Sequence, residues 1–281
     1  MITYTIGGSI TVHVRQWVFP GGEVGVDIQP GNYLHYENLM RQPIRVDANV
    51  GSSDDIMALL LTVDALRREY VGSDLKLHIP YVPYARQDRV VNAGESVSVA
   101  VMAKLINSCD FIEVVITDPH SPVTPALIDN VRVLTQATIF GNIHRGQNWD
   151  NWIIVAPDQG ASKKCEEFAK ARNAAGVIVC DKTRDLHTGK ITGMKIVSGP
   201  PVTQESNLLV LDDICDGGRT FIELAGLLRP LNPAKLELAV THGIFSKGFE
   251  VVAEHYDMVY TTDSFPQDAY PNPKLHLFVL K

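Results

Sequence analysis

The sequence predicts an α/β protein built on mainly parallel sheets flanked by helices, and three observations carry that reading. Short apolar runs of strand length alternate with segments whose apolar residues recur at helical spacing. The rhythm occurs twice. The two stretches are separated by a polar segment, residues 135–150, that holds two glycines and little apolar periodicity. A chain of 281 residues accommodates one large domain or two moderate ones, and this separator favours two, expected over 1–140 and 141–281.

Taken in order, Ile10, Val12 and Val14 alternate with polar residues, the pattern breaks at Pro20-Gly21-Gly22, and it resumes at Val24, Val26 and Ile28. That is the signature of paired strands around a turn. Residues 54–68 form a helix, because Ile56, Met57, Leu60, Leu61 and Val63 fall on one face behind the capping-rich Ser52-Ser53-Asp54-Asp55. Strand 75–79, helix 96–107, buried strand 111–117, a short helical piece at 125–129 and strand 131–134 complete the first half. The second half repeats the rhythm with strands at 153–156, 177–180, 208–211, 236–241 and 258–261 and helices at 162–173, 220–228 and 246–254.

Composition limits the function. With 45% hydrophobic and 20% charged residues the chain is an ordinary globular one. Its 25 basic residues against 32 acidic ones, a net charge of −7, provide no field for a nucleic-acid backbone or an anionic membrane. Any phosphate must therefore be met locally. No apolar run approaches the roughly 20 residues of a membrane span, and no basic start leads into an apolar signal segment, so a cytoplasmic protein is expected. Cys109, Cys165, Cys180 and Cys215 lie in or beside apolar segments without C-x-x-C spacing, which predicts reduced core residues.

In open α/β sheets ligands sit beyond the carboxyl ends of strands, so the polar residues that follow each strand hold the chemistry. The sharpest case is Leu208-Leu209-Val210-Leu211-Asp212-Asp213-Ile214-Cys215-Asp216-Gly217-Gly218-Arg219-Thr220. Glycines let backbone N–H groups turn inward, and the helix that follows adds its dipole, so the turn can hold a phosphate monoester. Asp212 and Asp213, expected at an exposed strand end, can accept from a vicinal diol. The segment resembles the phosphoribosyl-diphosphate (PRPP) loop, D-D-x-x-D-T-x-G-T, of type I phosphoribosyltransferases and of ribose-phosphate diphosphokinases, the PRPP synthetases. It departs at Gly217, where Thr is usual, and at Arg219, where Gly is usual; if that position requires a positive φ, Arg219 is strained.

Tyr81-Val82-Pro83-Tyr84-Ala85-Arg86-Gln87-Asp88-Arg89 distinguishes the two groups, since it closely resembles the P-Y-x-x-Y-A-R-Q-D-R/K signature of PRPP synthetases. Arg86 offers a forked cation to a nucleotide phosphate, and Gln87 an amide to a purine or ribose edge. The resemblance extends over most of the chain in the right order. Asp118-Pro119-His120 matches a D-x-H segment at the ATP phosphates and magnesium, and Pro157-Asp158-Gln159-Gly160 is similar to an S-P-D-x-G turn linked to the metal. Lys182-Thr183-Arg184 matches the K-x-R that opens a catalytic loop. Phe19 and Glu23 fit a turn whose aromatic stacks on adenine, often across a subunit boundary, with Gly21 in place of its usual Asp or Asn.

The resemblance implies two phosphoribosyltransferase-like domains. The N-terminal one, 1–140, carries the nucleotide-binding signature, and the C-terminal one, 141–281, the ribose 5-phosphate loop. It implies a Mg²⁺-dependent transferase of PRPP and nucleotide biosynthesis that moves the β,γ-diphosphoryl group of ATP to O1 of ribose 5-phosphate. Phe19, Glu23, Arg86, Gln87 and His120 would contact ATP. The sugar phosphate would sit on Asp212, Asp213, Asp216, Gly217, Gly218, Arg219 and Thr220, the metal on His120 and Asp158, and the developing charge on Lys182 and Arg184. A homo-oligomer, dimer or larger and up to a hexamer, is expected. The rival readings are a phosphoribosyltransferase that consumes PRPP and a non-catalytic regulatory partner of a synthetase. The first lacks a reason for Tyr84 to Gln87, the second for His120, Lys182, Arg184 and the paired acids.

Overall fold

The computed structural model describes residues 1–29, 42–184, 191–266 and 272–280, with the backbone alone at 183, 184, 191 and 192. The chain divides into two compact units, Met1–Leu134 with Ser264–Pro266, and Thr135–Asp263 with Gln267–Lys281.

The first unit contains β1 (Ile2–Ile6), β2 (Ile10–His13), β3 (Arg15–Val18), β4 (Val24–Asp27), β5 (Ile44–Ala48), α1 (Ser53–Glu69), β6 (Leu75–Ile79), α2 (Ser98–Asn107), β7 (Glu113–Thr117), α3 (Val123–Leu127) and β8 (Val131–Leu134). Its six-stranded sheet has the order β2-β1-β5-β6-β7-β8. The four strands from β5 onward are parallel, each joined to the next by a helix, while β1 runs antiparallel between β2 and β5. Ile2, Tyr4 and Ile6 on β1, Val46 on β5, Leu77 on β6 and Ile116 on β7 form one core with Leu59 and Leu66 of α1 and Met102 and Ile106 of α2. The start of α1 is fixed by a reciprocal capping box: Ser52 Oγ accepts from the Asp55 N–H at 3.2 Å and Asp55 Oδ2 accepts from the Ser52 N–H at 3.0 Å.

The N-terminal strands are paired differently from the expectation. The apolar–polar alternation of Ile10 and Val12 belongs to β2, which pairs with β1, a strand not anticipated from the sequence. The hairpin around Pro20-Gly21-Gly22 is instead β3 with β4. The chain breaks at Val14, whose side chain is buried in the core, so one continuous alternation is divided between two sheets.

The second unit contains α4 (Gln136–Ile139), β9 (Trp152–Ala156), α5 (Ser162–Arg172), β10 (Gly176–Arg184), β11 (Ile191–Ser198), β12 (Asn207–Cys215), α6 (Arg219–Leu228), β13 (Lys235–Gly243), α7 (Glu250–Ala253), β14 (Met258–Thr262) and β15 (Leu275–Phe278). The seven strands run β11-β10-β9-β12-β13-β14-β15, all parallel to their neighbours except β11. From β9 the chain crosses through α5 to β10 on one side; from β12 it crosses through α6 to β13 on the other. Neighbouring strands that send their connections in opposite directions open a crevice beyond their carboxyl ends. Two apolar layers cover this sheet. Phe221, Leu224 and Phe249 cover one face and Phe140, Cys165 and Phe168 the other.

Three elements of this unit differ from the sequence expectation. β10 continues to Arg184 because β11, an unanticipated strand, pairs along it. β12 continues to Cys215 because β13 pairs with it as far as Gly243, so both carboxylates lie within a strand. The helix expected over 246–254 is only the single turn of α7, since Gly248 at φ +92° interrupts its start. The four cysteines are free and buried, as expected, and burial pushes the thiols of Cys180 and Cys215 up to about 11 and about 12, where they stay neutral. Among the described residues no helix is long and apolar enough to cross a membrane.

Candidate active site

At the carboxyl ends of β9 and β12 the second unit places Asp158, in the turn after β9, and Asp212 through Thr220, on β12 and its loop. Asp213 is buried and Asp212 half-buried, so neither occupies the exposed strand end that the sequence suggests. Burial is the main force holding the Asp212 carboxyl well above the usual carboxylate range, and the adjacent Asp213 and nearby Asp158 carboxylates act in the same direction. The peptide between the two acids is held at both ends. Asp212 Oδ1 accepts from the Asp213 N–H at 2.9 Å, and the Asp212 carbonyl accepts from Gln136 Nε2 at 2.6 Å. Gln136 comes from α4, in the polar stretch that reads only as a domain separator. No sequence motif marks it, because it acts through a carbonyl 76 residues away.

Beyond β12 the loop turns on Gly218, at φ +76°, where a Cβ would stand 2.5 Å from Val252 Cγ2. Only glycine satisfies both conditions. Arg219 takes the first helical position of α6, so the expected strain at Arg219 does not arise; the positive φ falls one residue earlier. A Gly218→Ala substitution will destabilise the unit by about 1–3 kcal/mol through the left-handed backbone and the overlap with Val252. Urea denaturation measures this, and an unchanged midpoint would contradict the loop geometry. Asp216 Oδ1 accepts from Ser246 Oγ at 2.7 Å, which ties the loop to the turn after β13.

Lys182 lies half-buried on β10 opposite Met194, and its N–H is held by Asp181 Oδ1 at 2.8 Å. Arg184 ends the same strand, and β11 bulges where Gly193 and Ile191 face Thr183 and Arg184. The side chain of Arg184 lies outside the described residues. Asp158 Oδ1 accepts from the Ala161 N–H at 3.2 Å, and its other oxygen has no partner among the described residues.

In the first unit the segment from Tyr81 to Arg89 follows β6 and is anchored to α1, Tyr84 Oη and Ser53 Oγ lying 2.8 Å apart. Arg86 is exposed. Gln87 Oε1 accepts a short hydrogen bond from Ser98 Oγ, at the start of α2, and a longer one from Ser96 Oγ at 3.4 Å. Among the described residues the Gln87 amide N–H groups have no partner. His120 is exposed on the turn after β7. Arg89 holds the Asp88 carboxyl below its usual range against burial, with Ser121 and His120 adding to the effect, so this segment and the His120 turn are neighbours. Phe19 and Glu23 close the β3–β4 hairpin, the Phe19 N–H donating to the Glu23 carbonyl at 2.8 Å. Phe19 is 47% exposed and meets Trp17 edge-on at 5.6 Å. Trp17 covers Gly25 so closely that a Cβ there would overlap its ring. Gly25, which the sequence does not mark, therefore shapes the hairpin.

A parallel sheet with a glycine turn and paired acids at its switch point, preceded by a smaller α/β unit with an aromatic and basic loop, is the arrangement of proteins that handle phosphorylated ribose. Residues 22–109 match the family model described as the N-terminal domain of ribose phosphate pyrophosphokinase. The chain is 32% identical over 217 residues to the ribose-phosphate pyrophosphokinase of Thermococcus kodakarensis, covering 76% of this chain and 74% of that protein. It is 27% identical over 268 residues to that of Pyrococcus abyssi, covering 93% and 87%. The fold matches the crystal structure of phosphoribosylpyrophosphate synthetase from Mycobacterium smegmatis with a TM-score of 0.78 at 23% identity, over 95% of this chain and 86% of that one. The chain belongs to the ribose-phosphate pyrophosphokinase family.

Proposed function

We propose that this chain is a ribose-phosphate diphosphokinase. O1 of ribose 5-phosphate attacks the β-phosphorus of ATP, the bond from that phosphorus to the oxygen bridging it to the α-phosphorus breaks, and AMP leaves as PRPP forms. The observation that carries this reading is the coexistence in one family member of the tyrosine–arginine–glutamine segment at Tyr84 to Gln87 with the Asp212 to Thr220 loop. A phosphoribosyltransferase needs only the second.

The work assigned to the protein is positioning and neutralisation of charge. The sugar phosphate sits in the turn of Asp216, Gly217, Gly218, Arg219 and Thr220, where backbone N–H groups and the α6 dipole meet it, and Asp212 and Asp213 accept from its hydroxyls. The nucleotide takes Phe19 against its base, with Glu23, Arg86, Gln87 and His120 as polar contacts. Lys182 and Arg184 stabilise charge that builds on the transferring group.

Mg²⁺ suits the donors present. Among the described residues no group of three or more His, Cys, Asp or Glu side chains is set to hold a metal by itself. Mg²⁺ is commonly bound by one or two carboxylates together with substrate phosphates and water. The crowding of Asp158 and Asp213 around Asp212 is relieved by such a cation. Asp158 in the second unit and His120 in the first are, each in its own unit, the candidate ligands, and a cation there would supply neutralisation of the phosphate oxygens.

The exposed Trp17, Val18 and Phe19 on the β3–β4 hairpin suit a homo-oligomer, dimer or larger, in which the hairpin completes a nucleotide site, and the compartment proposed is the cytoplasm. Light scattering on active enzyme is expected to give at least twice the 30.9 kDa of one chain, and a monomer of full activity would contradict it. The reaction itself is tested by incubating pure protein with ATP, Mg²⁺ and ribose 5-phosphate. AMP and PRPP in equal amounts are expected; PRPP consumption with a nucleobase and no synthesis would favour a transferase.

A further inference from the structure

Gly217 and Arg219 are the two positions where this chain departs from the usual loop, losing a hydroxyl and gaining a cation. The structure turns that cation away. Arg219 Nε donates to Glu223 Oε1 at 2.7 Å along α6, with 76% of its side chain in solvent. A different cation lies over the loop. A Cβ placed on Gly217 would stand 3.6 Å from Lys247 Cε, 3.7 Å from Cδ and 3.9 Å from Cγ. The lysine stem thus runs across the bare face of this glycine, with the ammonium one bond beyond Cε.

That placement is built into the backbone. The Ile244 and Phe245 N–H groups donate to the Cys215 carbonyl at 2.8 and 3.1 Å, and the Ser246 N–H donates to the Asp216 carbonyl at 3.2 Å. With the Ser246 hydroxyl on Asp216 Oδ1, the turn that carries Lys247 is joined to both residues preceding Gly217. Among the described residues the Lys247 ammonium has no ion pair or hydrogen bond. Asp158 and the Asp212–Asp213 pair stand at the same end of the sheet, so a phosphate dianion bound there meets carboxyl groups as well as the glycine turn.

We propose that Lys247 binds the 5-phosphate of the sugar, as a mobile point charge above the glycine turn. The inference rests on the reading of Asp212 to Thr220 as the sugar-phosphate loop. The test is steady-state kinetics on Lys247→Met, which keeps the stem over Gly217 and removes the charge, and on Lys247→Arg, with Asp212→Asn/Asp213→Asn as a control for the loop. Lys247→Met is expected to raise KM for ribose 5-phosphate about tenfold, on the scale of one charge-assisted hydrogen bond. KM for ATP should change less than about twofold, Lys247→Arg should recover most of the loss, and the salt dependence of sugar KM should weaken in Lys247→Met. An unchanged sugar KM in Lys247→Met, or equal rises in both KM values, overturns the inference. If the double Asn variant still loses sugar affinity, the loop reading survives and Lys247 alone is wrong. If it does not, both fall.

Discussion

Lys182→Ala and Arg184→Ala will each lower kcat by about 10²-fold or more while changing the KM of either substrate only modestly. Contacts made to charge that exists only in the transition state are worth about 2.7–4 kcal/mol, and their loss appears in kcat. In the proposed role Lys182 is positioned by β10, on the stretch between two irregularities of its ladder with β11. β10 runs to Arg184 with β11 antiparallel beside it, and the Lys182 N–H is tied to Asp181. The spacing of Lys182 and Arg184, two apart on an extended segment, is what suggests from the sequence that they serve one transferring group. Single-turnover kinetics separate the chemical step from binding. Near-normal turnover in both variants would remove the pair from the mechanism.

The second large effect is at the paired acids. Asp212→Asn with Asp213→Asn will raise KM for ribose 5-phosphate by at least about tenfold, since the carboxyl acceptors for its hydroxyls are lost, and will leave ATP affinity close to normal. Stability should move the other way. Asp212 has a folded-state pKa raised above its unfolded value, so protonation favours the folded protein and ionisation costs stability at neutral pH. Asp212→Asn removes that cost. Its melting temperature should therefore exceed the wild type's at pH 7–8, and the gain should shrink as pH falls to the ordinary carboxylate range, where Asp212 is protonated in both states. A gain independent of pH, or a loss of nucleotide affinity with sugar affinity retained, would contradict this account.

Much of this architecture was legible in the sequence. Both parallel series, the α1 cap at Ser52 to Asp55 and the strand positions that precede each motif follow from local patterns, because helical and strand periodicities are written in neighbouring residues. What escaped depends on pairing or distance. β10 and β12 outlast their apolar runs because β11 and β13 supply hydrogen bonds to polar residues, and no local pattern records that. It placed Asp212 and Asp213 within a strand, the first half-buried and the second buried. Arg219 looked strained when aligned on a motif, whereas the backbone places the positive φ at Gly218. Gln136 and Lys247 act across the second unit on a carbonyl and on a bare glycine, contacts that leave no spacing signal. The turn of the β3–β4 hairpin, by contrast, could be read from Pro20-Gly21-Gly22.

In the proposed reaction O1 of the sugar attacks the β-phosphorus of ATP. That attack is tested most directly by ³¹P NMR of the wild-type reaction with ribose 5-phosphate carrying ¹⁸O at C1. AMP and PRPP should appear together in equal amounts, with the ¹⁸O shift on the sugar-bound phosphorus of the diphosphate. Formation of ADP with a singly phosphorylated C1, or PRPP without the isotope shift, would contradict it.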